Sequence, residues 1–176
     1  MRKFLMAAAV LAVAACGEKK PSGQDTTTMA PAAPPAMTSM DSMKADSIKK
    51  VHDYANQALG LLKAADTPPA GLPAEQWPQF KKELTAQAYD SLGLAAALDK
   101  KYPEAVTSYK SAIEANPDSP VANARLAKAY LDNKQYDDAI TTADKVLAMN
   151  EAPPQVKQFA QQQKETATKL KTAPPK

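Results

Sequence analysis

The sequence predicts an all-α protein: a short solenoid of helical hairpins with flanking capping helices, preceded by a disordered tether. Three observations carry this. Apolar residues recur at alternating three- and four-residue spacing through most of the chain, the period of one helix face. The chain repeats itself at a fixed interval, so that Ala88, Leu92 and Ala95 return as Ala122, Leu126 and Ala129. The 15 prolines fall outside the periodic segments or at their starts, where a missing N–H costs little.

The N-terminus reads differently from the rest. Arg2 and Lys3 form a short positive region, Phe4 to Ala15 is uncharged and apolar, and Val13-Ala14-Ala15 leads into Cys16. A positive start, an apolar run of about 7–15 residues and small exit residues describe an export signal. The run is too short to cross a bilayer, which takes roughly 20 apolar residues. Val13-Ala14-Ala15-Cys16 resembles the lipobox of bacterial lipoproteins. The resemblance implies a signal peptide over 1–15, cleavage before Cys16, and acylation of the Cys16 thiol and of the new amine. It also implies a membrane anchor made of lipid, stable once several acyl chains are buried. Gly17 stands where the family carries Asp for inner-membrane retention. The expected location is therefore the periplasmic face of the outer membrane of a Gram-negative cell. Cys16 is the only cysteine, so no disulfide forms within one mature chain.

Residues 16–43 are expected to form the lipidated cysteine and a linker. The stretch is rich in Pro, Ala, Ser, Thr and Met and shows no helical period, as in Ala30-Pro31-Ala32-Ala33-Pro34-Pro35-Ala36. Such a segment buries too little apolar surface to offset its ordering entropy. As a flexible chain, about 27 residues reach on the order of 30 Å. Met37, Met40 and Met43, with Met29 upstream, form a spaced thioether motif. Thioethers are soft ligands that suit Cu(I), so an envelope metal-handling lipoprotein is the alternative reading. Otherwise no metal or other cofactor is expected.

From residue 44 to 172 the pattern is helical. Ile48, Val51, Ala55, Ala58, Leu62 and Ala65 make one apolar stripe, placing a flanking helix at about 46–65. Thr67-Pro68-Pro69-Ala70-Gly71-Leu72-Pro73 breaks it. Trp77, Phe80, Leu84, Ala88, Leu92 and Ala95 make the next stripe, which runs to about Asp99. The self-similarity follows. Ala88, Leu92, Ala95, Lys100, Tyr102, Ala105, Thr107 and Asn116 recur as Ala122, Leu126, Ala129, Lys134, Tyr136, Ala139, Thr141 and Asn150. Repeats are placed at about 86–119 and 120–153. Pro103 opens one helix, and Ser119-Pro120 supplies a cap and a first-turn proline for another. A last helix at about 154–171 closes the stack through Val156, Phe159 and Ala160, and residues 173–176 form a frayed tail.

The interval from Ala88 to Ala122, spanned by two helices, is the period of tetratricopeptide repeats, and the residues here resemble that family. In the first unit these are Tyr89, Leu92, Gly93, Ala96, Tyr102, Ala105, Tyr109, Ala112 and Asn116-Pro117; in the second, Leu126, Ala127, Tyr130, Tyr136, Ala139 and Val146. The second unit departs from the pattern at Ala143 and Glu151. Two units leave faces uncovered, so the flanking helices are expected to complete the stack.

Function is expected to be binding, not catalysis. Removing residues 1–15 takes two of 22 Lys+Arg and no acids, leaving 20 against 19, or +1; this gives no reason to expect nucleic acid. His52 is the only histidine and Cys16 is given to lipid, so neither a zinc site nor a nucleophile–base pair can be assembled. The family implies a concave face lined by the first helix of each unit. Its positions place Asp90, Leu94, Arg125, Lys128, Leu131 and Asp132 there, facing an unidentified protein or peptide partner. Arg125 is the only arginine after Arg2 and, with Lys128 one turn later, could meet a partner carboxylate. Asp90 and Leu94 stand where the carboxylate clamp of chaperone-binding repeats has lysine and asparagine, so chaperone tails are not implied. The expected role is a monomeric, membrane-anchored scaffold or assembly adaptor. A Cu(I) competition assay on a peptide of residues 29–53 separates the alternative: affinity above that of a Met→Leu control supports metal handling, and equal affinity removes it.

Overall fold

The computed structural model describes residues 36–173, with side chains from Asp41 onward. The expected signal peptide, Cys16, residues 17–35 of the linker and the last three residues lie outside the described residues. Within them are six helices: α1 (Ala36–Ala64), α2 (Trp77–Leu98), α3 (Tyr102–Ala115), α4 (Pro120–Asp132), α5 (Tyr136–Ala148) and α6 (Pro154–Thr172). Consecutive helices pack in antiparallel-hairpin fashion, and α4 also packs on α6. The architecture is an all-α, tetratricopeptide-like stack.

The repeat is visible in the helix starts. Tyr102 and Tyr136 open α3 and α5, and Pro120 and Pro154 open α4 and α6 at the same interval. The turns inside the two hairpins are also alike. Lys100 and Lys134 both adopt φ 61°. After α2 the N–H of Lys101 donates to the carbonyl of Ala96 (2.9 Å), and that of Lys100 to Ala97 (3.1 Å). After α4 Gln135 donates to Tyr130 (2.8 Å) and Lys134 to Leu131 (3.0 Å). These paired bonds satisfy the last carbonyls of a helix through one left-handed residue. Glycine is the usual occupant, and lysine fills the place twice here. Between hairpins, the Ser119 side chain accepts from the Ala122 N–H, capping α4. Asn123 is fully buried, and its amide donates to the carbonyls of Ser119 (2.9 Å) and Pro117 (3.3 Å).

Small residues let the helices approach. Gly93 of α2 lies under Tyr109 of α3, so that a Cβ on it would stand 2.6–2.9 Å from the ring. Around this contact Ala96, Ala105, Val106, Leu126 and Ala129 form one core cluster. Ala124, Ala127, Ala143, Val146 and Ala160 form the next, between α4, α5 and α6. Leu131, Ala139 and Ala167 form a third. Ala143, where the family pattern expects an aromatic, is completely buried; α5 and α6 close on it because it is small.

Two expectations are corrected. The sequence pattern runs the linker to residue 43 and starts the first helix near 46, but α1 begins at Ala36. Pro35 is the last breaker; the residues after it include alanine, methionine and lysine, all good helix formers. No apolar period marks this turn-by-turn extension because the side chains from Asp41 to Ser47 face water. The family register points Leu131 at a partner, yet it is 8 % exposed. It packs against Ala139 and Ala167.

The grooves assign α1 its role. His52 of α1 lines a cavity with Leu92 and Ala96 of α2 and with Thr107 and Ser108 of α3. One unit later, residues of α3 line a cavity with Leu126 and Tyr130 of α4 and Thr141 and Thr142 of α5. These positions correspond pairwise at the repeat interval. Thus α1 stands to α2 as α3 stands to α4: it is the second helix of a preceding unit. By the same register α6 is the first helix of a following unit.

Glycine tests the packing argument with opposite signs at two positions. Gly93→Ala should lower the urea midpoint, overpacking costing about 1–3 kcal/mol. Gly60 lies in α1 with nothing within 4 Å of a built Cβ. Gly60→Ala should therefore raise the midpoint, by up to about 1 kcal/mol of helix propensity. A Gly93→Ala protein as stable as the parent would refute the close approach.

Candidate functional site

The first helices of the units, α2, α4 and α6, share a face. The backbones of α2 and α4 hardly approach one another, and side chains span the gap. An Arg125 guanidinium N–H donates to Asp90 Oδ2, joining α4 to α2. Lys128 donates to both carboxylate oxygens of Asp132 at 2.5 and 2.6 Å, one turn along α4. Of the six residues expected here, Asp90, Arg125, Lys128 and Asp132 therefore make two intramolecular ion pairs. Leu94 is 41 % exposed, and Leu131 belongs to the core. Both cations are already matched by carboxylates of the chain itself.

Apolar side chains surround these pairs. Val121 is 41 % and Phe159 36 % exposed, and Leu98 is open as well. Val121, Ala124, Arg125, Gln155, Val156 and Phe159 line a cavity of about 270 Å³ between α4 and α6. On the other side of Val121 a cavity of about 220 Å³ lies between α2 and α4, lined by Glu83, Gln87, Asp90, Asn116 and Ser119. Sequence reasoning missed Phe159 as a surface residue because its stripe with Val156 and Ala160 reads as core. The signal available was its register: it stands one repeat interval after Arg125.

Asp90 is the electrostatic centre of the face. Burial pushes its carboxyl above the usual carboxylate range, and the Arg125 charge and hydrogen bond only partly offset this. Its Oδ1 is buried with no hydrogen-bond partner. The Tyr109 phenol below is pushed up to about 12, first by burial and then by the Asp90 charge. The pair is only half-buried, with the Arg125 side chain 37 % and that of Asp90 22 % exposed. A carboxyl raised by partial burial in a cleft is a candidate for a site of use.

A second open surface lies between α1 and α2. Val51, Tyr54, Leu61, Leu62 and Leu84 line a groove of about 570 Å³ there. His52 is exposed, with its ring 3.4 Å from the Asn56 amide. Among the described residues there is no group of three His, Cys, Asp or Glu able to hold a metal ion. No described helix is long and apolar enough to cross a membrane.

The repeat register and the small-residue packing agree with one further observation. Residues 96–162 match the tetratricopeptide-repeat family model. The matched stretch runs from Ala96, near the end of α2, through α3, α4 and α5 into α6. The chain is also similar to surface lipoprotein assembly modifier 1 of Neisseria meningitidis serogroup B, with 38 % identity over 64 residues. That alignment covers 36 % of this chain and 13 % of the Neisseria protein. No solved structure matches.

The shifted Asp90 carboxyl makes a pH prediction. A carboxyl raised on folding binds its proton more tightly in the folded than in the unfolded chain. Its contribution to stability is therefore full below the ordinary value near 3.8 and declines as pH rises from there through the raised folded value. Asp90→Asn should remove that decline and leave stability at neutral pH unchanged or higher, since the Arg125 it frees is partly hydrated. Urea midpoints measured across this window check it; a variant markedly less stable at neutral pH would show that the pair holds the fold.

Proposed function

We propose that the chain is a lipid-anchored adaptor of the bacterial cell envelope, and that its α2–α4–α6 face receives a polypeptide partner. The observation that carries this is the composition of the face. Leu94, Leu98, Val121 and Phe159 stay exposed around Asp90–Arg125, although other apolar residues of the same helices are buried. Exposed apolar side chains beside charged pairs are the ordinary make-up of a protein-binding surface. The tetratricopeptide match supports binding over catalysis, since such units present surfaces to other proteins. The similarity to a protein named as a surface lipoprotein assembly modifier supports a role in envelope assembly.

In this reading residues 1–15 are the export signal, Cys16 carries the lipid, and 17–35 tether the helical unit to the periplasmic face of the outer membrane. The protein acts as a monomer. Leu94, Arg125, Lys128 and Asp132, with Asp90, form the working face together with Val121 and Phe159.

Two measurements test the proposal. Cys16→Ala should move the protein from the membrane to the soluble fraction and abolish incorporation of labelled fatty acid; membrane retention without lipid would end the anchoring claim. A photo-crosslinker at Leu94 or Val121, used in intact envelopes, should capture a discrete protein, and one at Lys110 should not. Leu98→Ser with Phe159→Ser, which removes exposed apolar side chains of the face, should abolish that capture. Equal capture from both positions, or capture retained by the double variant, would place the working surface elsewhere.

A further inference from the structure

We propose that the α2–α4–α6 face selects a peptide segment in which a basic and an apolar side chain project to the same side. The basic side chain enters the cavity lined by Glu83 and Asp90, and the apolar one enters the cavity beside Phe159. The proposal rests on reading this face as a partner surface and names the chemistry of the partner.

The two cavities share one wall, Val121. Alternate residues of an extended peptide project to one side roughly 7 Å apart, which suits neighbouring cavities with a single side chain between them. The second cavity is apolar except for Arg125 and Gln155, and at about 270 Å³ it has room for a branched or aromatic side chain. The first is polar. Glu83 and Asp90 lie two helical turns apart on α2, with Gln87 between them, and Asn116 and Ser119 close the far side.

Charge decides which polar group belongs there. Arg125 is held by Asp90 and Lys128 by Asp132. An acidic peptide would have to displace one of these carboxylates to gain a cation. A basic peptide displaces nothing. Glu83 makes no ion pair among the described residues, and Asp90 Oδ1 lacks a partner. Three carboxylates therefore face two cations on this surface, and the surplus lies at the first cavity. A lysine or arginine placed there meets the unpaired Glu83 and the half-buried Asp90, whose Oδ1 has no partner. The groups around Asp90 are Glu83 from its own helix, Arg125 from α4 and Tyr109 from α3. Affinity for a basic peptide should rise with pH as the Asp90 carboxyl, raised by burial, ionises.

The test uses the full chain in detergent micelles and synthetic peptides with Gly/Ser flanks around Lys-Gly-Phe or Phe-Gly-Lys. Matched peptides replace Lys by Gln or Glu, and Phe by Ala. Fluorescence polarisation should show the Lys/Phe peptide of one order binding about tenfold tighter than its Glu or Ala counterpart. Glu83→Gln and Asp90→Asn should each weaken the preference for Lys while keeping that for Phe, and their combination should erase it. Glu83 is exposed, so Glu83→Gln should melt like the parent and report on recognition alone. Equal affinity for Lys, Gln and Glu peptides, tighter binding of Glu, a Lys preference that survives the double variant, or no binding of any peptide would overturn the proposal. A partner crosslinked at Val121 in envelopes, with no such preference, would sink this inference and leave the adaptor reading standing.

Discussion

Close approach of helices at small side chains is the constraint on which the structure depends. Gly93 beneath the Tyr109 ring sets the separation of α2 and α3, and Ala105 and Ala112 on α3 bury completely in the same layer. Ala127, Ala139, Ala143, Ala160 and Ala167 do the same for the later helices. An alanine core buries little area per residue, so stability comes from the number of well-packed contacts rather than from large side chains. Such a core also leaves bulky apolar residues such as Leu94, Val121 and Phe159 available for the surface.

The ends of the stack are unlike. α6 takes the first-helix position of a unit with no second helix among the described residues, and its outer face carries exposed Gln161, Gln162 and Glu165. Water satisfies that face, and Lys164 pairs back to Asp144 at 2.6 Å. α1 takes a second-helix position, and its groove with α2 remains apolar through Val51, Tyr54 and Leu61. Among the described residues, α6 therefore carries a polar exposed face, whereas the groove between α1 and α2 is apolar.

The middle of the stack carries the polar asymmetry. Asp90 and Arg125 come from different units, and their contact forms only because α2 and α4 are held apart by the hairpins behind them. Partial burial raises the Asp90 carboxyl there, and the Arg125 charge offsets this only in part. The surrounding packing sustains this arrangement, which is the usual relation between a rigid scaffold and a polarised site.

Much of this was legible in the sequence. The repeat interval, Pro120 and Pro154 at helix starts, Ser119 as a cap and the small-residue positions follow from local chemistry and period alone. The limits of legibility were equally physical. The first turns of α1 have no apolar stripe to announce them, because nothing packs on them. Leu131 and Phe159 exchanged their expected roles: the degree to which α6 closes on α4 decides which of the two is covered. The pairing of Arg125 with Asp90 joins residues 35 positions apart, a separation at which sequence shows two charges and no distance. Helices, their order and their repeat were determined by the sequence by itself, since periodicity and capping act within a few residues. Which charges meet, which leucine is buried and where the open grooves lie were decided only by tertiary structure, since these depend on how far apart the packed helices come to rest.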